Sequence, residues 1–125
     1  MNKPIILGNI QDLTIKLLNL NIPQNSQIFL SEPDHIHMKN DHPNDYERYF
    51  HNIANILRNP DYLAKHPKKS SIEHIKIFDK DYILVAVHMT SNKKLFAKTL
   101  FIMETRKVDS YSRANALIKF EEPSN

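Results

Sequence analysis

The sequence predicts an α+β domain in which N-terminal helices pack on one face of a C-terminal antiparallel β-sheet meander. Apolar residues from Ile10 to Leu20 recur at three- and four-residue steps, whereas from Ile72 onward they alternate. Pro23, Pro33, Pro43 and Pro60 punctuate the first part, and short polar stretches punctuate the second.

The first helix is read over Asn9 to Leu20, where Ile10, Leu13, Leu17 and Leu20 form one stripe and Pro23 prevents extension. Gln27 to Leu30 is a short strand. Pro33 and Asp34 open a second helix that ends near His42, because Pro43 disfavours helical geometry in the residue before it. Pro43 then begins a third helix running to about Arg58, with Asp45 and Glu47 near its positive end. Strands follow near residues 72–78, 82–90 and 95–103, separated by Asp79-Lys80-Asp81 and Ser91-Asn92-Lys93-Lys94.

A three-residue first loop and a four-residue second loop would align Ile75, Ile77, Ile83, Val85, Val87, Leu100 and Ile102 on a dry face. The same register places His74, Lys76, His88 and Thr99 on the opposite face, with His88 and Thr99 as diagonal neighbours. A two-residue first loop would instead bury His74 and Lys76, at a cost of several kcal/mol if both stayed charged. Lys98 points coreward in this register and needs an edge position or a bulge to release it.

The 125 residues make one domain, 1–125, with a core covering somewhat under ~70% of the unfolded surface. The chain has no cysteine, which excludes disulfides, thiolate zinc sites and thiol nucleophiles and suits a reducing cytoplasm. It has no apolar run of about 18 residues, and Ile5-Ile6-Leu7 is too short for a signal-peptide core. The expectation is a soluble, unexported chain without a membrane partner. A net charge of +3 and a pI near 9.1 favour anionic partners mildly.

Two histidines, a tyrosine and a threonine on this basic chain suggest acid/base work on a phosphodiester without a metal or cofactor. The spacing His37-x4-His42 lacks the i, i+4 step of a helical zinc pair, and a five-residue step rotates ~140° around a helix.

The order of short motifs resembles the phage-associated barnase/EndoU/colicin/RelE-like (BECR) nuclease superfamily. Those motifs are Ile6-Leu7-Gly8-Asn9-Ile10, Ile28-Phe29-Leu30-Ser31, His37-x4-His42-Pro43, Asn59-Pro60-Asp61-Tyr62, Ser71-Ile72-Glu73, Val85-Ala86-Val87 and Lys98-Thr99-Leu100-Phe101, spanning residues 5–117. The chain departs from its relatives at Asn115, where they tend to have glycine, and at His88, where they often have lysine or arginine.

The resemblance implies a barnase/RelE-like fold and an endoribonuclease, associated with phage or mobile elements, with a toxin's role and a neutralising partner protein among the expectations. RNA cleavage by 2′-hydroxyl attack needs a base, an acid and donors for the phosphorane oxygens. His37 or His42 is one expected member of the acid/base pair and His88 a second. Thr99 would offer its hydroxyl to phosphate and Lys76 a positive charge to the oxyanion. Tyr62 would stack on a base, and Lys65, Lys68 and Lys69 would form a phosphate track beside His66. His74 and Arg113 complete the expected substrate contacts.

Each residue also has a plainer reading. His42 serves as a helix-start contact, His37, His51 and His74 as solvated or packed histidines, and Thr99 as an ordinary strand former. Asp61 is then a cap and Tyr62 a cover for the core edge. Two other classes compete: a non-catalytic nucleic-acid- or protein-binding module on the same fold, and a metal-dependent hydrolase drawing on the seven histidines.

Overall fold

A computed structural model describes residues 3–66 and 69–123. Its elements are β1 (Ile5–Asn9), α1 (Asp12–Leu18), β2 (Gln27–Leu30), α2 (Glu32–Asp41), α3 (Pro43–Tyr49), a 3₁₀ turn (Phe50–Asn52) and α4 (Ile53–Arg58). Then come β3 (Tyr62–Lys65), β4 (Ser71–Phe78), β5 (Asp81–Met89), β6 (Leu95–Ile102), α5 (Thr105–Arg113) and β7 (Ile118–Lys119). The seven strands form one sheet in the order β1-β2-β6-β5-β4-β3-β7. Neighbours are antiparallel except β2 and β6, which run parallel.

Local chemistry sets several boundaries. Asn19 takes a left-handed conformation (φ 52°), and the Leu20 N–H reaches back to the Ile15 carbonyl at 2.9 Å, so α1 ends at Leu18. Its buried positions are Thr14 and Leu18, one step round from the expected stripe. The Ser31 hydroxyl accepts from the Asp34 N–H at 3.2 Å and caps α2. The single helix expected from Pro43 to Arg58 is broken by the 3₁₀ turn. β1 is a strand that the sequence reading did not anticipate, paired to β2 through an irregularity between Ile6 and Gly8, where Gly8 adopts φ 138°.

One face of the sheet holds the main core. Ile28, Leu30, Leu63, Ile72, Ile83, Val85, Val87 and Leu100 pack there with Leu18, Met38, Ile53, Ile56 and Leu57 from the helices. The other face is not bare. Ile75, Leu84, Ala86 and Met103 form a smaller cluster there, with Val108 and Tyr111 of α5 packed against it. Helices therefore flank both faces, where the sequence suggested one.

The pairing of β4 with β5 corrects the expected register. Ile75 lies opposite Leu84 and Phe78 opposite Asp81, leaving a two-residue turn of Asp79 and Lys80 with Asp79 at φ 58°. Asp81, assigned to the loop by the sequence reading, starts β5 because its carboxylate is held from α3. Tyr49 donates to Asp81 Oδ2 at 2.7 Å, and Arg48 donates to it at 2.9 Å. Tyr49 also stacks on Phe78, with ring centroids 5.4 Å apart. These contacts hold both ends of the turn.

The shift moves His74 and Lys76 to the helix-covered side and Ile75 and Ile77 to the other. Lys76 escapes burial at the strand's end, its Nζ donating to the Asn59 carbonyl at 2.7 Å. His74 does not escape: it is fully buried, and its ring nitrogens make no well-formed hydrogen bond among the described residues, having only the backbone of Val85 and Ile72 to act on them. Burial depresses its pKa to about 4, so it sits in the core as a neutral ring. The expected cost of burying two charges is avoided by one loss of a proton and one route to the surface. Lys98 is released by a bulge, since the β5–β6 register slips between Ala86↔Thr99 and Val87↔Ala97.

His74 yields a stability prediction. Its folded pKa lies below the unfolded value near 6.5, so the unfolded chain binds more protons between those values and stability falls as pH drops from about 6.5 towards 4. Full development of the effect amounts to roughly 3 kcal/mol. Urea midpoints across that range should fall more steeply for the wild type than for His74→Leu; parallel curves would show that this ring is not the group that titrates.

Candidate functional site

The uncovered part of the second face lies over β4, β5 and β6. Across it run two rows set by strand pairing: Glu73, Ala86 and Thr99, and beside them Ser71, His88 and Phe96. Paired side chains on one face sit about 4.5–5.5 Å apart, and diagonal ones are still within reach of long side chains. The small side chain of Ala86 leaves a trough between the larger ones. Lys69, Ser71, Ala86, His88, Lys98 and Thr99 line a cavity there of about 390 Å³.

Glu73 lies opposite Ala86, which lines the trough, and is only 8% exposed. The Tyr111 hydroxyl donates to Glu73 Oε1 at 2.8 Å. Burial, and then the bond to Glu73 and its charge, push the Tyr111 phenol up to about 12, so it stays protonated as a donor through the neutral range. Lys98, freed by its bulge, reaches Asp34 of α2 at 3.1 Å.

A larger groove of about 810 Å³ lies at the C-terminal half of β6, lined by His42, Asp45, Phe101, Ile102, Glu104, Arg106, Lys107, Ser110 and Arg113. The pairing of β2 with β6 covers only Leu95 and Phe96, so beyond them the outer edge of β6 meets helices. Asp45 Oδ2 accepts the Ile102 N–H at 2.9 Å and ties the start of α3 to that edge. His42, between α2 and α3, adopts φ −137° and ψ 67°, off the helix as a residue before proline should be. Its ring stacks on Phe101 with centroids 5.2 Å apart. Thr99 and Phe101 are two residues apart on one strand face, about 6–7 Å, so trough and groove adjoin along β6.

The residues singled out from sequence are thus divided. His88, Thr99 and Lys69 share the trough, while His42 and Arg113 share the groove. His37 lines neither: it is exposed on α2 with Nε2 3.5 Å from Asp41, because Met38 takes the inward position. His74 is in the core and Lys76 binds a carbonyl at the far end of β4, so neither reaches the open face. Lys65 lies opposite Ile72, in register with the helix-covered side. Tyr62 lines a separate cavity of about 330 Å³ with Asn59, Asp61 and Lys119. Lys68 falls outside the described residues. Among the described residues, no group of three or more His, Cys, Asp or Glu is placed to hold a metal ion, and no helix is long and apolar enough to cross a membrane.

Sequence reasoning missed Glu73, Tyr111 and Lys98 as site residues. Glu73 had been seen within Ser71-Ile72-Glu73, but only the two-residue turn brings it to the open face.

A family profile described as phage-Barnase-EndoU-ColicinE5/D-RelE like nuclease3 matches residues 5–110. The match runs from the start of β1 into α5 and takes in every trough and groove residue except Arg113. No curated protein and no solved structure matches the chain.

Tyr111→Phe would leave Glu73 Oε1 without its donor in a largely buried setting, and should destabilise the protein by about 1–3 kcal/mol. The same change made in a Glu73→Gln background should cost clearly less. Equal costs in the two backgrounds, read from denaturant midpoints, would show that the carboxylate does not depend on this phenol.

Proposed function

Because the chain belongs to the phage-Barnase-EndoU-ColicinE5/D-RelE like nuclease3 family, we propose that it is a metal-independent endoribonuclease working in the trough on β4–β6. The observation that carries this reading is the gathering of His88, Thr99, Ser71, Lys69 and Lys98 in one cavity of about 390 Å³ on the exposed sheet face. A histidine there can give or take a proton, a threonine hydroxyl can donate to a phosphate oxygen, and the Lys69 ammonium, with Lys98 beside it on Asp34, can attract the phosphodiester.

In the proposed reaction the 2′-oxygen of the substrate attacks the adjacent phosphorus. The bond from phosphorus to O5′ breaks, giving a 2′,3′-cyclic phosphate and a 5′-hydroxyl. One group takes the 2′-hydroxyl proton and another gives a proton to the departing O5′. His88 is one of them. Glu73, diagonal to it across the β4–β5 pair, is the second, in the place expected for His37 or His42. The Tyr111 hydroxyl donates to Glu73 Oε1, and the proposed proton exchange falls to Oε2. Thr99 faces the phosphate, with Lys69 and Lys98 meeting the charge that builds on its oxygens.

Labelled RNA tests this directly. Wild-type protein should cut it in the presence of EDTA, leave a 2′,3′-cyclic end, and spare an all-deoxy strand of the same sequence. His88→Ala at equal folded concentration should lose about 10²–10⁴ in rate, and Thr99→Val roughly 10². Cutting of the deoxy strand, dependence on an added divalent ion, or wild-type rates in His88→Ala would each overturn the mechanism. RNA bound but left intact would favour a binding module on the same fold.

A further inference from the structure

We propose that the groove between α5 and the α2–α3 junction binds the nucleotide flanking the cut, its base on His42 and its phosphate on Arg113 and Lys107. This rests on reading the trough as the cleavage centre and names the part of the substrate lying beyond it.

Continuity is the first argument. Thr99 lines the trough and Phe101 lines the groove, and they are successive residues on one face of β6. An RNA strand with its reacting phosphate at Thr99 and running along β6 enters this groove one nucleotide later.

The second argument is the poise of His42. Its inner face rests on Phe101, with rings 30° from parallel, while the residue is exposed, so its outer face is open to a planar ligand. The backbone that carries the ring is anchored. Pro43 fixes the backbone after it, the Tyr46 N–H binds the His42 carbonyl at 2.8 Å, and the Asp45–Ile102 hydrogen bond anchors the next turn to the sheet. Exposed, pre-oriented rings are what proteins offer to the unstacked bases of single-stranded RNA.

The third argument is charge. The groove's two carboxylates are occupied: Asp45 accepts the Ile102 N–H, and Glu104 is 3.1 Å from Arg106 Nε. Lys107 and Arg113 have no ion-pair partner among the described residues. Arg106, Ser110 and Arg113 follow one face of α5 at four- and three-residue steps, so a guanidinium and a hydroxyl border the same space. A guanidinium there matches the two oxygens of a phosphate, which a free base or nucleoside would lack.

The test uses the full chain with two readouts. Binding of 2′-O-methyl pentanucleotides, followed by fluorescence anisotropy, does not require cleavage. His42→Ala should weaken it about tenfold, and His42→Phe, which keeps a stacking face but cannot carry a proton, should restore it. Arg113→Ala should weaken binding and lower the slope of log K against log salt by about 0.7. In cleavage, the Arg113→Ala loss should appear in KM for a pentanucleotide and vanish for a dinucleoside monophosphate, which lacks the flanking phosphate, whereas the His42→Ala loss should appear in KM for both.

Wild-type affinity in both alanine variants, or no binding of the pentanucleotides by the wild type, would overturn the subsite. So would a His42→Phe protein that binds normally but has lost kcat on the dinucleotide, since His42 would then be a proton-transfer group. Intact binding effects with no cleavage by any variant would refute the nuclease mechanism while leaving the groove standing as an RNA-binding site only.

Discussion

The tight turn at Asp79-Lys80 decides which side of the sheet each polar group on β4 occupies. With two residues in the turn, Glu73 and Ser71 join His88 and Thr99 on the open face; with three, His74 and Lys76 would stand there instead. The choice is held from α3, where Tyr49 stacks on Phe78 on one side of the turn and donates to Asp81 on the other, with Arg48 adding an ion pair. The arrangement puts a fully buried histidine in the core, which is tolerable because that ring sheds its proton. Lys76, two residues before the end of its strand, needs no such loss, because its ammonium reaches the Asn59 carbonyl.

A second constraint acts at the other end of the site. β2 covers only the beginning of β6, so the later backbone groups of β6 need partners from elsewhere. The start of α3 supplies one through Asp45, and the bulge at Lys98 lets that side chain reach Asp34 on α2. These contacts tie the α2–α3 junction to the sheet edge and bring His42 onto Phe101. The helix break that Pro43 imposes is therefore used to aim a ring at the face where the strands present theirs.

Much of this was legible in the sequence. Alternation after Ile72 marked β4 to β6, Pro43 marked the break between α2 and α3, and the coreward clash of Lys98 called for an edge position or a bulge, of which the structure has the bulge. Other features were hidden for physical reasons. The register argument weighed the cost of burying His74 in its charged form, whereas a core histidine can be neutral, and that cost was not incurred. β1 is a brief apolar stretch whose strand character comes from pairing with β2, and β3 begins inside a motif that reads as a turn. Glu73 and Tyr111 are 38 residues apart and meet only because α5 folds over the second face. No spacing rule reaches such a contact. The family resemblance narrowed the chemistry but left open which side chains meet, and the strand register does most to settle that.

The central claim is that the open face of β4–β6 is the surface that meets RNA. Backbone and histidine side-chain NMR signals, followed while an uncleavable 2′-O-methyl oligonucleotide is added, test it most directly. The account predicts that Lys69, Ser71, His88 and Thr99 shift together, while His37 on the outer face of α2 and His74 in the core stay still. Shifts confined to α1, β1 or the outer face of α2, with His88 and Thr99 unmoved, would contradict it.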